Sequence, residues 1–436
     1  MLALPAFKSL STGLGDTSVL IKSLTALKYP DDMIRNDITI LENYRNLAVN
    51  VVDPSEMGQH HLLNYCHHVK NCVNRFNGLE NLKLSFTWND AFGINLKVTS
   101  NSLYLDYICC LWNLASFESL MGAKGDRSTD DGIRIANKHF QQSAGYLEYL
   151  RTHLLQYTSL IDNADKNLPT ITDDGLTMAK NLMLAQAQLC FYEKAVKDKK
   201  VGNMKSVIIA KLAKQTSIFY ASASVYCKVG LLGMILDISW FAITDFQSKV
   251  FLGAAEYWQA NASKEAALAN GTGYGEEVAR LKRADIHISQ ALGAAAKNPI
   301  AEGIVHGANG LRSAILEHKH NAEKDLQTVY MEAIPRETDL LDITPVAMVR
   351  PSALPELETN TVGAYVLFAY VLPPNISSLN TSYTNSIASI YQKTCETSNQ
   401  LSSSVRSTLS TLGLPASLEA IKSQDPVPPS LWSKME

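Results

Sequence analysis

The sequence predicts a mostly α-helical solenoid of helical hairpins, with a small β-hairpin near the N-terminal third and an amphipathic helix near the C-terminus. Three observations carry this expectation. Apolar residues recur at helical spacing through most of the chain up to about 330. The stretch that departs from that pattern, "LKLSFTWNDAFGINLKVTS" (82–100), is rich in Phe, Trp, Thr and Val with Gly93 near its middle, which suits two strands and a turn. The connections between helical stretches are short, so successive helices pack as antiparallel neighbours. No literal fixed-period repeat is present, so the repetition is structural only.

Helices are expected over roughly 16–27, 32–48, 55–76, 103–121, 130–159, 173–199, 204–227, 231–268, 274–296 and 302–330. The acidic pairs Asp130–Asp131 and Asp173–Asp174 read as N-terminal caps. "NGTGYGEE" (270–277) lies between two helices. A phosphate cradle would need a strand before these glycines, so the segment reads as a helix-to-helix turn with Glu276 and Glu277 favoured by the following helix dipole. Prolines at 335, 345, 351 and 355 then forbid a long helix and predict an extended segment. Helical periodicity returns at 381–412, with a Ser/Thr-rich polar face. Residues 1–355 are expected to fold as one domain, and 356–436 to form a linker and a separate piece.

Composition narrows the function. A net charge of -3 argues against whole-surface binding to nucleic acid. Seven irregularly spaced cysteines fit buried thiols in a reducing compartment better than a disulfide framework. The longest apolar stretch, 229–246, contains Asp237 and Asp245, and the N-terminus has no signal-peptide pattern, so a cytosolic protein with at most peripheral membrane association is expected. "HHLLNYCHH" places His60 with His67, and His61 with His68, on adjacent faces of one helix. That reads as a solvated face and not as a metal site, which needs three or four convergent ligands. No nucleophile elbow, HExxH, Walker loop or CxxC pair is present, so nothing points to an enzyme or a cofactor.

The most informative stretch is 181–215, "NLMLAQAQLCFYEKAVKDKKVGNMKSVIIAKLAKQ". Its second helix carries three apolar stripes (Val207 with Ala210; Ile208, Leu212 and Phe219; Ile209, Ala213 and Tyr220) where a surface helix carries one. Two readings stand: an inner helix sandwiched on two sides, or a helix with one stripe left for docking. Residues 189–215 contain seven lysines (194, 197, 199, 200, 205, 211, 214) against Glu193 and Asp198. A basic rim of Lys194, Lys197, Lys205 and Lys211 around an apolar stripe would suit an acidic amphipathic helix.

These motifs, with "AEYWQA", "YGEEVARLKRA", "LSFTWNDAF", "DDGIRIANKHFQQSAGYLEYL" and "ITPVAMVRPSALP", resemble, in order over about 1–355, the Bro-type domain of the Alix-like adaptors of the ESCRT machinery. The resemblance implies a curved, TPR-like solenoid that binds the C-terminal amphipathic helix of an ESCRT-III subunit and is recruited to endosomal membranes through its partners. It assigns the apolar contacts to Phe191, Ile208 and Leu212, which are expected to be partly exposed in one patch. Asp130, Arg134 and Lys138 would supply polar contacts beside the lysines. "VGNM" (201–204) looks like an insertion between the two helices. "LSTLGLPASLEAIKSQDPVPPSL" resembles the start of the V-shaped domain that follows in this family. An alternative is the same fold binding another helical ligand in signalling or pH response.

Overall fold

The expected hairpin forms, and a third strand joins it. In the computed structural model, β2 (Phe86–Asn89) pairs antiparallel with β3 (Lys97–Ser100), and the two-residue β1 (Lys8–Ser9) pairs with the other edge of β2. Phe86, Trp88, Val98 and Ser100 point inward while their neighbours stay at least partly exposed, the period-two alternation of a half-buried sheet. The structure describes residues 1–26, 29–51, 55–76, 84–93, 95–159, 168–358, 366–372, 374–414 and 434.

Helices account for most of the remainder: α1 (Ser18–Ala26), α2 (Asp31–Val49), α3 (Glu56–Phe76), α4 (Leu103–Lys124), α5 (Asp130–Ser159), α6 (Asp173–Lys200) and α7 (Ser206–Tyr226). There follow α8 (Leu232–Ile235), α9 (Ile238–Asn270), α10 (Tyr274–Ala295), α11 (Glu302–Asp325), α12 (Pro355–Glu358) and α13 (Pro374–Thr411). From α4 to α11 each long helix packs chiefly on the long helices next to it in sequence, as a hairpin solenoid requires. At Gly253 on α9 a Cβ would stand 2.7 Å from Ile288 of α10, so glycine permits this close approach.

Several local details differ from expectation. The caps of α5 and α6 are Thr129 and Thr172, whose hydroxyls accept from the amides of Gly132 (3.0 Å) and Gly175 (3.1 Å). The acidic pairs lie one residue later, inside the first turn. The single helix expected over 231–268 is two, because Asp237 accepts from Ser239 N at 2.8 Å and caps a new helix start. In the 270–277 turn, Gly271 and Gly273 hold left-handed φ values of 75° and 99°. The Glu332 carboxylate accepts from the amides of Gly273 and Gly275, so a side chain of this chain fills the anion position at the start of α10.

The sheet end is pinned by one carboxylate. Asp106 of α4 accepts two hydrogen bonds from Arg45 of α2, at 3.0 and 2.9 Å, one from Trp88 Nε1 at 2.8 Å, and one from the Tyr65 hydroxyl of α3. The Arg45 and Asp106 side chains are fully buried. Burial works against the Arg45 charge, but Asp106 more than offsets it and holds the proton more tightly than in water. Six of the seven cysteines are buried without disulfides, and Cys395 is half-buried. Among the described residues no group of three or more His, Cys, Asp or Glu is placed to hold a metal ion.

The proline-rich segment after 335 is extended, as expected, and crosses the helices in reverse order. Arg280 of α10 donates to Leu341 O (2.7 Å), and Val346 N donates to Lys211 O of α7 (3.3 Å). Gln188 of α6 donates to Val346 O (2.9 Å) and accepts from Met348 N (3.0 Å). Gln141 of α5 accepts from Arg350 N through its side chain and from Ser352 N through its carbonyl. The first compact unit continues past the expected boundary at 355 to Val371, because Leu357, Leu367, Phe368 and Val371 are buried and Phe368 N donates to Asp37 at 2.7 Å. The second unit comprises Leu372–Glu436 with Arg75–Gly78 and contains α13. Most of the segment resembling the start of a V-shaped domain lies outside the described residues.

Candidate interaction surface

The two helices of 181–215 end and begin at a tight turn. Val201, Gly202 and Asn203 direct their amides back to the carbonyls of Asp198 and Lys199. Gly202 has φ 82° with open space where a Cβ would be, so glycine is needed there for its backbone angle and not for room. Met204, the last residue of "VGNM", folds back against the cluster of Ala195, Ile209 and Leu212.

Of the three apolar residues assigned to docking, Ile208 is 43% exposed and Phe191 is half-buried. Leu212 is only 5% exposed, which corrects the expectation that all three are open to solvent. It packs in a cluster with Ala195 and Ile209, bordered by Tyr192, Val196, Met204 and Trp258. The physical reason is α9. Its Trp258 closes over this stripe and donates to the Tyr192 hydroxyl at 3.1 Å. α7 is thus sandwiched at Leu212, while Ile208 remains outside.

The extended segment shows which face these residues share. Lys138, Phe191 and Ile208 each lie three residues from the position that holds that segment on the same helix: Gln141 on α5, Gln188 on α6 and Lys211 on α7. Residues three apart are neighbours on a helix surface. α5 and α6 run antiparallel, since Asn137 donates to Ala187 O (2.8 Å) and Lys194 reaches Asp130 farther along both helices; the short turn makes α7 antiparallel to α6. Lys138, Phe191 and Ile208 therefore lie on one face and on the same side of the extended segment. Arg134 and Asp130, one and two turns before Lys138, continue that line on α5, and all three are exposed.

The lysines are not equivalent. Lys194 donates to Asp130 (2.8 Å) and Asp198 (2.6 Å), which raises its pKa and lowers that of Asp130. Lys197 donates to the carbonyls of Arg127 (3.1 Å) and Ser128 (2.6 Å), and Lys199 pairs with Glu265. Arg134 pairs with Asp131 at 3.3 Å, both well exposed. Lys138, Lys205 and Lys211 form no ion pair among the described residues. The uniform basic rim is thus corrected to a few unengaged cations around a neutralised one.

Sequence reasoning missed the groove beside this face. The α4–α5 turn (Gly125–Ser128) and Tyr192, Glu193, Val196 and Lys197 of α6 line it. Arg127 donates to Glu193 at 3.1 Å across the groove; burial raises the Glu193 pKa, and Arg127 pulls against that rise. The prior signal was Glu193, one of two acids among seven lysines in 189–215.

Comparison with known proteins agrees with this architecture. The chain is 29% identical over 418 residues to the pH-response regulator protein palA/RIM20 of Emericella nidulans, covering 93% of this chain and 46% of that protein. It is 27% identical over 404 residues to the human programmed cell death 6-interacting protein, covering 90% and 43%. The chain thus spans about half the length of the curated relatives it matches. Among solved structures, an ALIX BRO1 CHMP4C complex superposes with a TM-score of 0.69 at 24% identity, covering 85% of this chain and 99% of that one. ALIX in complex with a viral late-domain peptide superposes at 0.75 and 23% identity, covering 96% and 58%. At these identities the likeness is one of fold. The BRO1-like domain model matches residues 16–391, and the chain belongs to the BRO1-like domain family.

Proposed function

We propose that this chain is a non-enzymatic adaptor that binds the C-terminal amphipathic helix of an ESCRT-III subunit on the α5–α7 face. The observation that carries the reading is Ile208, an isoleucine 43% exposed, on the same face and the same side of the extended segment as Phe191. An incoming helix would bury these two side chains over the Leu212 floor, while Lys138, Lys205 and Lys211 meet its acidic residues. The family's fold match to a BRO1 domain in complex with CHMP4C supports the partner class. No helix among the described residues is long and apolar enough to cross a membrane, and the reading brings the chain to endosomal membranes through its partner.

A second reading, a pH-response scaffold with a different helical ligand, is favoured by relatives that are pH-response regulators. Fluorescence titration of this chain with ESCRT-III C-terminal peptides, beside scrambled peptides of equal composition, separates the two. Saturable binding of the native order alone supports the first reading; equal, weak binding of both peptides argues for a different ligand.

A further inference from the structure

Beyond Ile208 the α5–α7 face runs into a pocket of about 500 Å³ between α7, α9, the start of α10 and residues 341–344 of the extended segment. Lys138, Phe191 and Ile208 step across α5, α6 and α7, and α9 is the next helix packed in that row. Lys211 lies three residues after Ile208 on the same face of α7 and lines the pocket. α9 runs antiparallel to α7, since Ser206 Oγ donates to Glu265 at 2.7 Å and Ser217 Oγ to Ser248 O at 2.8 Å. Val207 and Lys211, one turn apart, therefore face Ser263 and Gln259, also one turn apart. We propose that the pocket receives a carboxylate of the peptide that covers Ile208, held by Lys211, Ser263 and Gln259. The pocket thus rests on the docking reading above and adds α9 to the contact.

Three donors line the pocket without partners. The side chains of Lys211, Gln259 and Ser263 make no hydrogen bond or ion pair among the described residues. Ser263 is only 8% exposed, and a buried hydroxyl without a partner costs free energy that an incoming acceptor recovers. Gln259 and Lys211 are half-buried, so all three present donors from the inner walls.

The charges select the ligand's sign. Arg280, 2% exposed, also lines the pocket but is already answered: it donates to Glu256 and Glu276, at 3.1 Å each, and to Leu341 O. Glu276 is engaged by the same contact, and Asp342 stands exposed at the rim. Lys211 is left as the unanswered inner charge. A cationic group would stand beside Lys211 and Arg280, whereas a carboxylate meets an ammonium, a hydroxyl and an amide. Asp342 and Asn270, at the exposed edge, leave acceptors for the peptide's own N–H groups. The volume admits an acidic residue with its neighbours, within the roughly 300–1,000 Å³ of ordinary ligand pockets.

Isothermal titration of an ESCRT-III C-terminal peptide tests the pocket. Each Asp or Glu of the peptide is replaced in turn by its amide, and one further peptide has its C-terminal carboxylate amidated. All are titrated into the native chain and into Lys211→Met, Ser263→Ala and Ile208→Asp. One neutralised peptide should bind the native chain about tenfold more weakly, and the same change should matter less than about threefold in Lys211→Met and in Ser263→Ala. If that peptide is the amidated one, the carboxylate is the chain terminus; otherwise it is the side chain replaced. Unfolding midpoints should be retained, because neither Lys211 nor Ser263 loses a side-chain partner. Ser263 lies on α9, outside the α5–α7 face, so its arm separates a pocket from a rim lysine. Coupling to Lys211 with Ser263→Ala silent would overturn the pocket. Equal effects of every neutralisation in the native and pocket variants, with binding still weakened by Ile208→Asp, would overturn it and leave the docking face standing. A native peptide that does not bind the native chain would overturn both.

Discussion

Lys194 Nζ stands 2.8 Å from Asp130 Oδ2, an ion pair that joins α6 to the first turn of α5. The family resemblance assigns Asp130 to a partner and the local charge assigns Lys194, yet here they engage each other, and Asp198 holds the same lysine. The pair is exposed, so its effect belongs to the surface field and not to stability. Lys194→Gln should therefore change the association rate with an acidic peptide much less than Lys205→Gln or Lys211→Gln. Asp130→Asn should leave Lys194 paired with Asp198 alone and remove one negative charge from the face, which should speed association and steepen its salt dependence, since exposed charges act within a Debye length of about 8 Å at physiological salt. Stopped-flow mixing at two salt concentrations checks the order; an equal loss for all three lysines would contradict it.

Leu212 and Ile208 should separate binding from folding. Leu212 lies under Trp258 and Tyr192, so Leu212→Asp buries a carboxylate without a partner and should cost about 3 kcal/mol or more of stability. Ile208→Asp places its charge at an exposed position and should leave the unfolding midpoint nearly unchanged. Urea denaturation of the two variants makes the comparison.

His68 should make stability depend on pH. It stacks on Tyr44 with ring centroids 4.5 Å apart, and burial, with His67 beside it, pushes its pKa down to about 4 against an upward pull from Asp37. The unfolded chain takes up this proton near pH 6.5 while the native chain refuses it. Its contribution is whole above about pH 6.5 and is lost as the pH falls toward 4. Unfolding free energies at pH 7 and pH 5 should differ by on the order of 1–2 kcal/mol more in the native chain than in His68→Gln.

Asp106→Ala should be among the most damaging single changes in the first unit. It strands the buried Arg45 guanidinium and removes the acceptor of Trp88 and Tyr65. The expected loss is about 3–5 kcal/mol. Replacing Arg45 and Asp106 together by Met and Leu should lose less than the single change, because no uncompensated charge remains. A double substitution that is worse than Asp106→Ala would contradict this account of the pin.

Much of this was legible in the sequence because the signals were local. Nearly every long helix lies within a few residues of its apolar period, and the hairpin showed in its Phe, Trp, Thr and Val content. What was missed depended on distant partners. Strand β1 is two residues long and exists only because Asn89 and Trp88 pair with it. The break before α9 had a signal, Asp237 before Ile238 and Ser239, but the apolar run around it hid the cap. At the candidate surface, periodicity counted three stripes on α7 and could not say which one α9 would cover. It showed seven lysines but not that Asp130, Asp198 and Glu265 already answer two of them.

The docking face is tested most directly by isothermal titration of an ESCRT-III C-terminal peptide into the native chain and into folded Ile208→Asp. Burial of an unpaired carboxylate against the incoming apolar face should weaken binding by about 2 kcal/mol or more, roughly thirtyfold, with the unfolding midpoint retained. Equal affinity for the two folded proteins would contradict the assignment of this face.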